Sequence, residues 1–510
     1  MPTLRKRSSG ILLHVTSLPG PYGCGDLGPR AHEFLDFLAE TGQTWWQMLP
    51  VVPPGAGHSP YSALSAFAGN TLLISLERLA DEGLLQRSRL APPAGLGGAV
   101  ADFAAAERLK QERLHEAFEA FETSAPGEVR SQFDAWAHDE AWWLEDYALF
   151  MALRHERLNV SWWEWEHPVR LREHAALEEA RRRLAKRLRF ERFAQWQFDK
   201  DWKCLRSAAA ARGLGLIGDI PIFVARDSAE VWAHPELFLL DGEGWPIVVA
   251  GVPPDYFSKD GQLWGNPLYR WDVMRSRGYD WWIARLRAAF ARFDAVRIDH
   301  FIGFHNYWEI PGHAKTARDG RWMPGPGAEF FERVFAALGG VELIAEDLGI
   351  VTDEVRALRD RFDLPGMVVL QFAFGLDPES RNYQPHRFRR RCIVYPGTHD
   401  NDTIVGWWKD QGSASSTRTP EQIEKERAFV MTYIGSNGRQ IHWDMIRTAL
   451  SSPADVAIIP AQDLLGLGSE ARMNMPGTAQ GNWRWRLTRP LPRGVGRRLK
   501  TLTDAFERAR

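Results

Sequence analysis

Three cysteines in 510 residues, Cys24, Cys204 and Cys392, are too few and too scattered for a disulfide framework or a thiolate zinc site. Each is expected as a buried thiol in a reducing compartment. Charge imbalance is missing too: 63 Lys and Arg stand against 65 Asp and Glu, a net charge of -2, with no basic block. That composition excludes the electrostatic footprint of a nucleic-acid or anionic-membrane partner and leaves a neutral ligand as the expectation. No apolar run approaches membrane-spanning length. Arg5-Lys6-Arg7 is followed by only about five apolar residues before His14, short of a signal-peptide core. A cytoplasmic protein is the expectation. No His-Glu-x-x-His pattern occurs, so no metal site is supported, and the chain has no internal repeat or long low-complexity segment.

What the chain does have is a series of short apolar runs bounded by Gly, Pro and Asp. They fall at Ile11 to Val15, Trp45 to Leu49, Gly215 to Asp219, Ala295 to Asp299, Leu343 to Glu346, Met367 to Phe372, Cys392 to Tyr395 and Ala457 to Pro460. Several alternate with helical patterns, as at Tyr279 to Phe293 and Thr352 to Phe362, and that order predicts parallel strands with crossover helices. The fold class expected is α/β, a (β/α)8 TIM barrel with helical and loop insertions at its C-terminal face, in one catalytic domain over residues 1–510. The spacing is uneven. Residues 66–200, approximately, read as a helical insertion, in which Leu114, Phe118 and Phe121 recur at i, i+4, i+7. Residues 223–282, approximately, are rich in Pro, Gly and aromatics and read as an ordered loop over the active site.

Two motifs point elsewhere. Gly23-Cys24-Gly25-Asp26-Leu27-Gly28 matches the string of dinucleotide-binding folds, but Pro19, Pro21 and Tyr22 separate it from its strand, and Met48 stands where a ribose-binding acid would be needed. It reads as a Gly-rich loop at the barrel mouth. The sequons Asn159-Val160-Ser161 and Asn401-Asp402-Thr403 read as accidental in a chain without a secretion signal.

Three acidic tripeptides close apolar runs: Ile298-Asp299-His300, Ala345-Glu346-Asp347 and His399-Asp400-Asn401. A carboxylate at a strand end points into the loops where barrels do their chemistry. A retaining glycosidase-type reaction needs one carboxylate as nucleophile and one carboxylic acid as proton donor, with their pKa values driven apart. Arg297 lies two residues before Asp299, hence on the same strand face, and its guanidinium favours an ionised nucleophile there. Glu346 then serves as acid/base. Nearby, Asp255-Tyr256-Phe257-Ser258 and Gln262-Leu263-Trp264-Gly265-Asn266-Pro267 mix aromatics with amides, a composition that matches the apolar faces and hydroxyl edges of a sugar. Most of the 23 Trp, Trp45, Trp46, Trp142 and Trp143 among them, are expected in packing.

Taken together, Ala295-Val296-Arg297-Ile298-Asp299-His300, Ala345-Glu346-Asp347-Leu348-Gly349 and Gly397-Thr398-His399-Asp400-Asn401-Asp402-Thr403 resemble the catalytic segments of the 4-α-glucanotransferases, the amylomaltases or disproportionating enzymes related to the α-amylases. His58-Ser59-Pro60-Tyr61-Ser62, Gly218-Asp219-Ile220-Pro221-Ile222-Phe223 and the stretch from Gly251 to Pro267 are similar as well, and the resemblance runs from about Gly10 to Trp485. It implies a retaining transfer of an α-1,4-glucan segment to the 4-hydroxyl of another glucan or of glucose, through a covalent intermediate on Asp299. No cofactor is implied. The family assigns Asp400 to sugar hydroxyls and transition-state stabilisation, Arg297, His300 and His399 to the nucleophile's subsite with Asp219 supporting them, and a stacking face to Tyr61. Asp255, Trp264 and Asn266 are the further substrate-binding candidates, and Phe372 is a candidate for the acceptor side. Malto-oligosaccharides and amylose are the partners expected. The carboxylates do not separate transfer from hydrolysis, since both pass through one intermediate. Only the resemblance favours transfer over an α-1,4-glucan hydrolase.

Overall fold

Eight short strands pair in parallel in the computed structural model, which describes residues 2–254, 260–349, 351–375, 378–412 and 418–510. In chain order the strands are β1 (Ser8–Leu12), β2 (Trp45–Gln47), β3 (Gly215–Pro221), β4 (Val248–Val252), β5 (Gln262–Pro267), β6 (Ala295–Asp299), β7 (Asn306–Pro311), β8 (Arg321–Pro324), β9 (Leu343–Ala345), β10 (Gly366–Val369), β11 (Cys392–Tyr395) and β12 (Val456–Pro460). The parallel sheet runs β10-β11-β12-β1-β2-β3-β6-β9. Its two edges meet: the Ala345 N–H donates to the Pro365 carbonyl at 2.9 Å, and the Met367 N–H to the Asp347 carboxylate at 2.8 Å. The sheet thus rolls into the eightfold barrel that the apolar runs predict.

Each predicted run carries one of these strands: Ala295–Asp299 and Cys392–Tyr395 match to the residue, and the other runs have shifted ends. β1 begins at Ser8 rather than Ile11 because buried Ser8 and Ser9 are satisfied inside, by the Trp45 indole and by Gln43. The run to Phe372 leaves the sheet after Val369 and turns as a 3-10 helix over Leu370–Phe372. The crossover helices Asp280–Arg292 and Asp353–Arg361 sit where periodicity placed them, the second capped by Thr352.

Between β2 and β3 the chain builds helices Phe103–Ser124, Gly127–Asp139, Ala141–Glu156 and Ala185–Ala211, with Leu114, Phe118 and Phe121 buried in their core. Residues 223–282, read from sequence as loop, contain β4 and β5. These join β7 and β8 in a four-stranded antiparallel sheet of order β5-β4-β7-β8. Gly265 at φ 79° and Pro267 mask β5 in the sequence, yet both are tolerated because the strand is an edge. The Gly-rich loop before helix Pro29–Glu40 is filled by its own backbone: a Cβ on Gly25 would fall 2.2 Å from the Val15 carbonyl, and Asp26 pairs with Lys110 at 2.7 Å. Cys24 and Cys392 are buried and Cys204 half-buried, all as thiols. Among the described residues no helix is long and apolar enough to cross a membrane.

Candidate active site

Barrel register by itself sets the charged groups side by side. Asp219 on β3 lies directly beside Arg297 on β6, and Pro221 beside Asp299. The Asp219 and Arg297 side chains point inward at the same height, and Arg297 Nη1 donates to both Asp219 oxygens at 2.8 and 2.7 Å. Two residues on, where the strand has turned back to the same face, Arg297 Nη2 donates to Asp299 Oδ1 at 2.8 Å. Arg297 is 3 % exposed. Burial lowers the tendency of such a guanidinium to stay charged, but Asp219 and Asp299 more than offset it and hold its pKa well above the ordinary value. The nucleophile candidate therefore keeps a permanent cation against one oxygen.

Glu346 follows β9, the neighbour of β6 in register Ile298 to Ala345. Its Oε2 accepts from the His300 N–H at 2.7 Å and its Oε1 from the Leu348 N–H at 3.0 Å, which fixes the carboxyl. Burial, with the Asp299 charge adding to it, pushes this carboxyl up to about 7 against the opposing pull of Arg297. The two carboxyl groups occupy one cleft, with the Arg297 guanidinium against Asp299 and the Glu346 carboxyl raised, an arrangement that can divide acid and nucleophile roles.

Asp400 approaches from the loop after β11. Its Oδ2 lies 3.2 Å from His399 Nε2, its Oδ1 accepts from Asn474 Nδ2 at 2.6 Å, and Arg472 holds its backbone carbonyl at 2.8 Å. Burial pushes the Asp400 carboxyl up, yet His399 and the Asn474 hydrogen bond overcome this and hold it well below the usual range. For His399 the balance also favours charge, since Asp400 outweighs the effect of burial and raises the imidazole.

Tyr61 links the halves. Its hydroxyl donates to Asp219 Oδ2 at 2.8 Å and lies 2.9 Å from His399 Nε2, so a protonated Nε2 donates to the phenol oxygen. The Tyr61 ring stacks on His399, centroids 5.3 Å apart at 14°, with Trp483 at 5.7 Å. A continuous chain of polar contacts thus runs from Asp400 through His399, Tyr61, Asp219 and Arg297 to Asp299.

His300 sits at φ 55°, which turns the backbone toward Glu346. Burial pushes its imidazole down to about 4, and its Nε2 has no hydrogen-bond partner among the described residues. Trp264 on edge strand β5 meets His300 edge-on at 4.9 Å while remaining 38 % exposed. Asn266, two residues along β5, spends its amide N–H on the Val224 carbonyl at 2.9 Å. Phe372 packs edge-on against Tyr383 at 5.4 Å, and both rings border the same cleft.

Of the residues singled out from sequence, Asp299, Glu346, Asp400, Tyr61, Trp264, Asn266, Arg297, His300, His399 and Phe372 line this one cleft. Asp219 lies beneath it, buried against Arg297. Asp255 and Tyr256 fall outside the described residues. Asp347, the other acid of the second tripeptide, lies outside the cleft lining and bonds Arg359 and the Met367 N–H at the barrel seam. Sequence reasoning missed Arg472, Asn474 and Trp483, which follow the last barrel strand and carry no acidic signature. The turn-forming Met475-Pro476-Gly477 was their one local signal. Among the described residues no group of three His, Cys, Asp or Glu could hold a metal ion.

Comparison with known proteins gives one consistent answer. The family described as 4-alpha-glucanotransferase matches residues 13–491. A 4-alpha-glucanotransferase of Thermus thermophilus is 50% identical over 514 residues, spanning 98% of this chain and 99% of that protein. The chloroplastic/amyloplastic 4-alpha-glucanotransferase of Solanum tuberosum is 44% identical, over 94% of this chain and 82% of its own. Among solved structures, the amylomaltase from Streptococcus agalactiae in complex with acarbose superposes with a TM-score of 0.93 at 36% identity, over 99% of this chain and 100% of that one.

Proposed function

The chain belongs to the 4-alpha-glucanotransferase family, and from that premise we propose how its cleft performs a retaining transfer between α-1,4-glucans. Asp299 attacks the anomeric carbon of a bound donor as Glu346 gives its proton to the departing 4-oxygen. The C1–O4 bond breaks and a glycosyl ester forms on Asp299. The fragment with the new 4-hydroxyl leaves, another glucan or glucose takes its place, and Glu346, now a carboxylate, removes the proton from the incoming 4-hydroxyl. That oxygen attacks C1, the ester breaks, and the α configuration returns.

The observation that carries this reading is the placement of the two carboxyl groups. They follow neighbouring strands in register, Asp299 taking a 2.8 Å hydrogen bond from the Arg297 guanidinium and Glu346 pushed up to about 7. Adjacent strands lie about 4.8 Å apart, which favours the separation of about 5–5.5 Å of a retaining pair over the wider gap an inverting enzyme needs for water. Asp400 and His399 take sugar hydroxyls in the nucleophile's subsite and stabilise the oxocarbenium-like transition state. The orphaned Nε2 of His300 is a further hydroxyl partner. Arg297, Asp219 and Tyr61 hold the nucleophile and His399 in place. Malto-oligosaccharides and amylose are the donors proposed, and glucose is the smallest acceptor.

Incubation with maltotriose tests the reading. Transfer yields glucose and a ladder of longer sugars at a constant number of reducing ends, whereas hydrolysis makes reducing ends grow steadily. Asp299→Asn, which keeps the volume but cannot form the ester, is expected to fall below about a hundredth of wild-type activity; more than that would remove Asp299 from the nucleophile role.

A further inference from the structure

The cleft does not end at the three carboxylates. The same groove continues along the chain that leaves β3 and reaches Trp163, Arg226 and Asp227, where the barrel meets the helical segment. Pro221, in register with Asp299, begins this path, and Arg226 is five residues on, hence at most about 17 Å farther along an extended backbone. That span lies within reach of a glucan already seated at Asp299.

The path is rigid. Arg285 holds the Pro221 carbonyl at 2.7 Å, Tyr269 holds that of Ile222 at 2.8 Å, and Asn266 holds that of Val224. The Trp162 indole donates to the Arg226 carbonyl at 2.7 Å, and the Asp227 carboxylate takes Arg154 at 2.6 Å and the Ser161 hydroxyl at 3.0 Å. At its end the Arg226 guanidinium is clamped between two indoles, 4.1 Å from the ring centre of Trp163 and 4.1 Å from that of Trp245. Trp245 is 46 % exposed and Trp163 half-buried at the cleft wall. Burial brings the Arg226 pKa down only to about 10, so the cation persists between the rings.

A guanidinium stacked on both sides locks the planes of its neighbours. The result is a pre-set aromatic face at Trp163 beside polar groups, Arg226, Asp227 and Arg154 among them, on the wall of a groove that leads to the reacting centre, with Trp245 fixing Arg226 from outside that wall. Nothing in the reaction at Asp299 requires it. We propose that the Trp163–Arg226–Trp245 stack is a remote glucan subsite, which binds the apolar face of a glucose unit several residues from the bond being cleaved and so favours long α-1,4-glucans over short ones. The proposal rests on the glucanotransferase reading above. Because the platform is already ordered, binding there loses little conformational freedom, and the gain is confined to chains long enough to reach it.

The test is the ratio of kcat/KM on amylose to kcat/KM on maltotriose, in wild type, Trp163→Ala and Trp163→Tyr. Loss of one sugar-stacking face is worth roughly tenfold in affinity. The expected result is a ratio about tenfold lower in Trp163→Ala and largely restored in Trp163→Tyr, which keeps a flat ring. Trp245→Ala, a change at an exposed ring, lowers the ratio in the same direction by freeing Arg226. A ratio within threefold of wild type in Trp163→Ala, or an equal fall in Trp163→Tyr, overturns the subsite. If wild type transfers neither substrate, it is the parent reading that fails. Melting temperatures of the three variants within a few degrees of wild type exclude misfolding as the cause.

Discussion

Replacing Glu346 by Gln produces two effects of opposite sign, one on rate and one on stability. Burial and the Asp299 charge raise the Glu346 carboxyl from 4.5 to about 7. At neutral pH a carboxyl of ordinary acidity would be protonated in about one molecule in 300, against about half for the raised group, so the environment enlarges the acid form by about 150-fold. Below pH of about 4.5 Glu346 is neutral whether the chain is folded or not, and its stability contribution is fully present. As pH rises through about 7 that contribution is lost, because the fold must then hold a carboxylate it disfavours; the loss is at most about 3–4 kcal/mol, at about 1.4 kcal/mol for each tenfold change in acidity. Glu346→Gln removes the titration. It should therefore be more stable than wild type above pH of about 7 and equal to it in acid, while kcat/KM on maltotriose falls by about 10²–10⁴. Initial rates and thermal melts of both proteins between about pH 5 and 9 make the comparison. Wild-type activity should fall on the alkaline side with an apparent pKa near 7, a property of the Asp299 and Glu346 pair together. A donor with a leaving group that needs no proton should lose least in the variant. Equal loss on natural and activated donors at the glycosylation step, or a variant no more stable than wild type in alkali, would refute the acid role.

Trp264→Ala removes a ring that is 38 % exposed beside His300, and its expected effect is a higher ratio of hydrolysis to transfer from maltotriose with Asp299 still reactive, because an acceptor held over the intermediate displaces water. A product ratio equal to that of wild type at each of several acceptor concentrations, or a loss confined to donor cleavage, would make Trp264 a packing or donor-side residue. Asn474→Ala takes from Asp400 one of its two side-chain partners, at 2.6 Å, and a hydrogen bond to a charged group of about 1.5–3 kcal/mol corresponds to a kcat lower by about 10- to 100-fold. Since Asn474 helps hold the Asp400 carboxyl low, the acid limb of the activity profile should also move to higher pH in that variant; an unmoved limb with normal kcat would leave Asn474 as loop packing alone.

Every barrel strand was legible in sequence because a parallel strand is buried on both faces and reads as an unbroken apolar run. The antiparallel sheet was not. Its edge strand β5 carries Gly265 and Pro267, with Leu263 and Trp264 half in solvent, so neither alternation nor an apolar run marks it. Asp299, Glu346 and Asp400 stood out because an acid closing an apolar run is conspicuous. Arg472 and Asn474 did not, since an amide and a guanidinium in a loop carry no such mark, and their role exists only because Asn474 reaches Asp400 across 74 residues of chain.

The local alternation of apolar runs and helical periods by itself determined the eightfold barrel and the ends of β6 and β9, where Asp299 and Glu346 sit, whereas Asp400 stands in the loop beyond Tyr395 at the end of β11. The i, i+2 spacing placed Arg297 on the face of Asp299. What only the tertiary structure decided is the sharing of charge: that Asp219 meets Arg297 across the register of β3 and β6, that His399 and Asn474 together hold Asp400 ionised, and that Glu346 lies deep enough beside Asp299 to keep its proton. The reason is physical. A strand's pattern depends on neighbours one or two residues away, whereas a carboxyl's acidity depends on burial and on charges a few ångströms away through space, which the fold alone brings together.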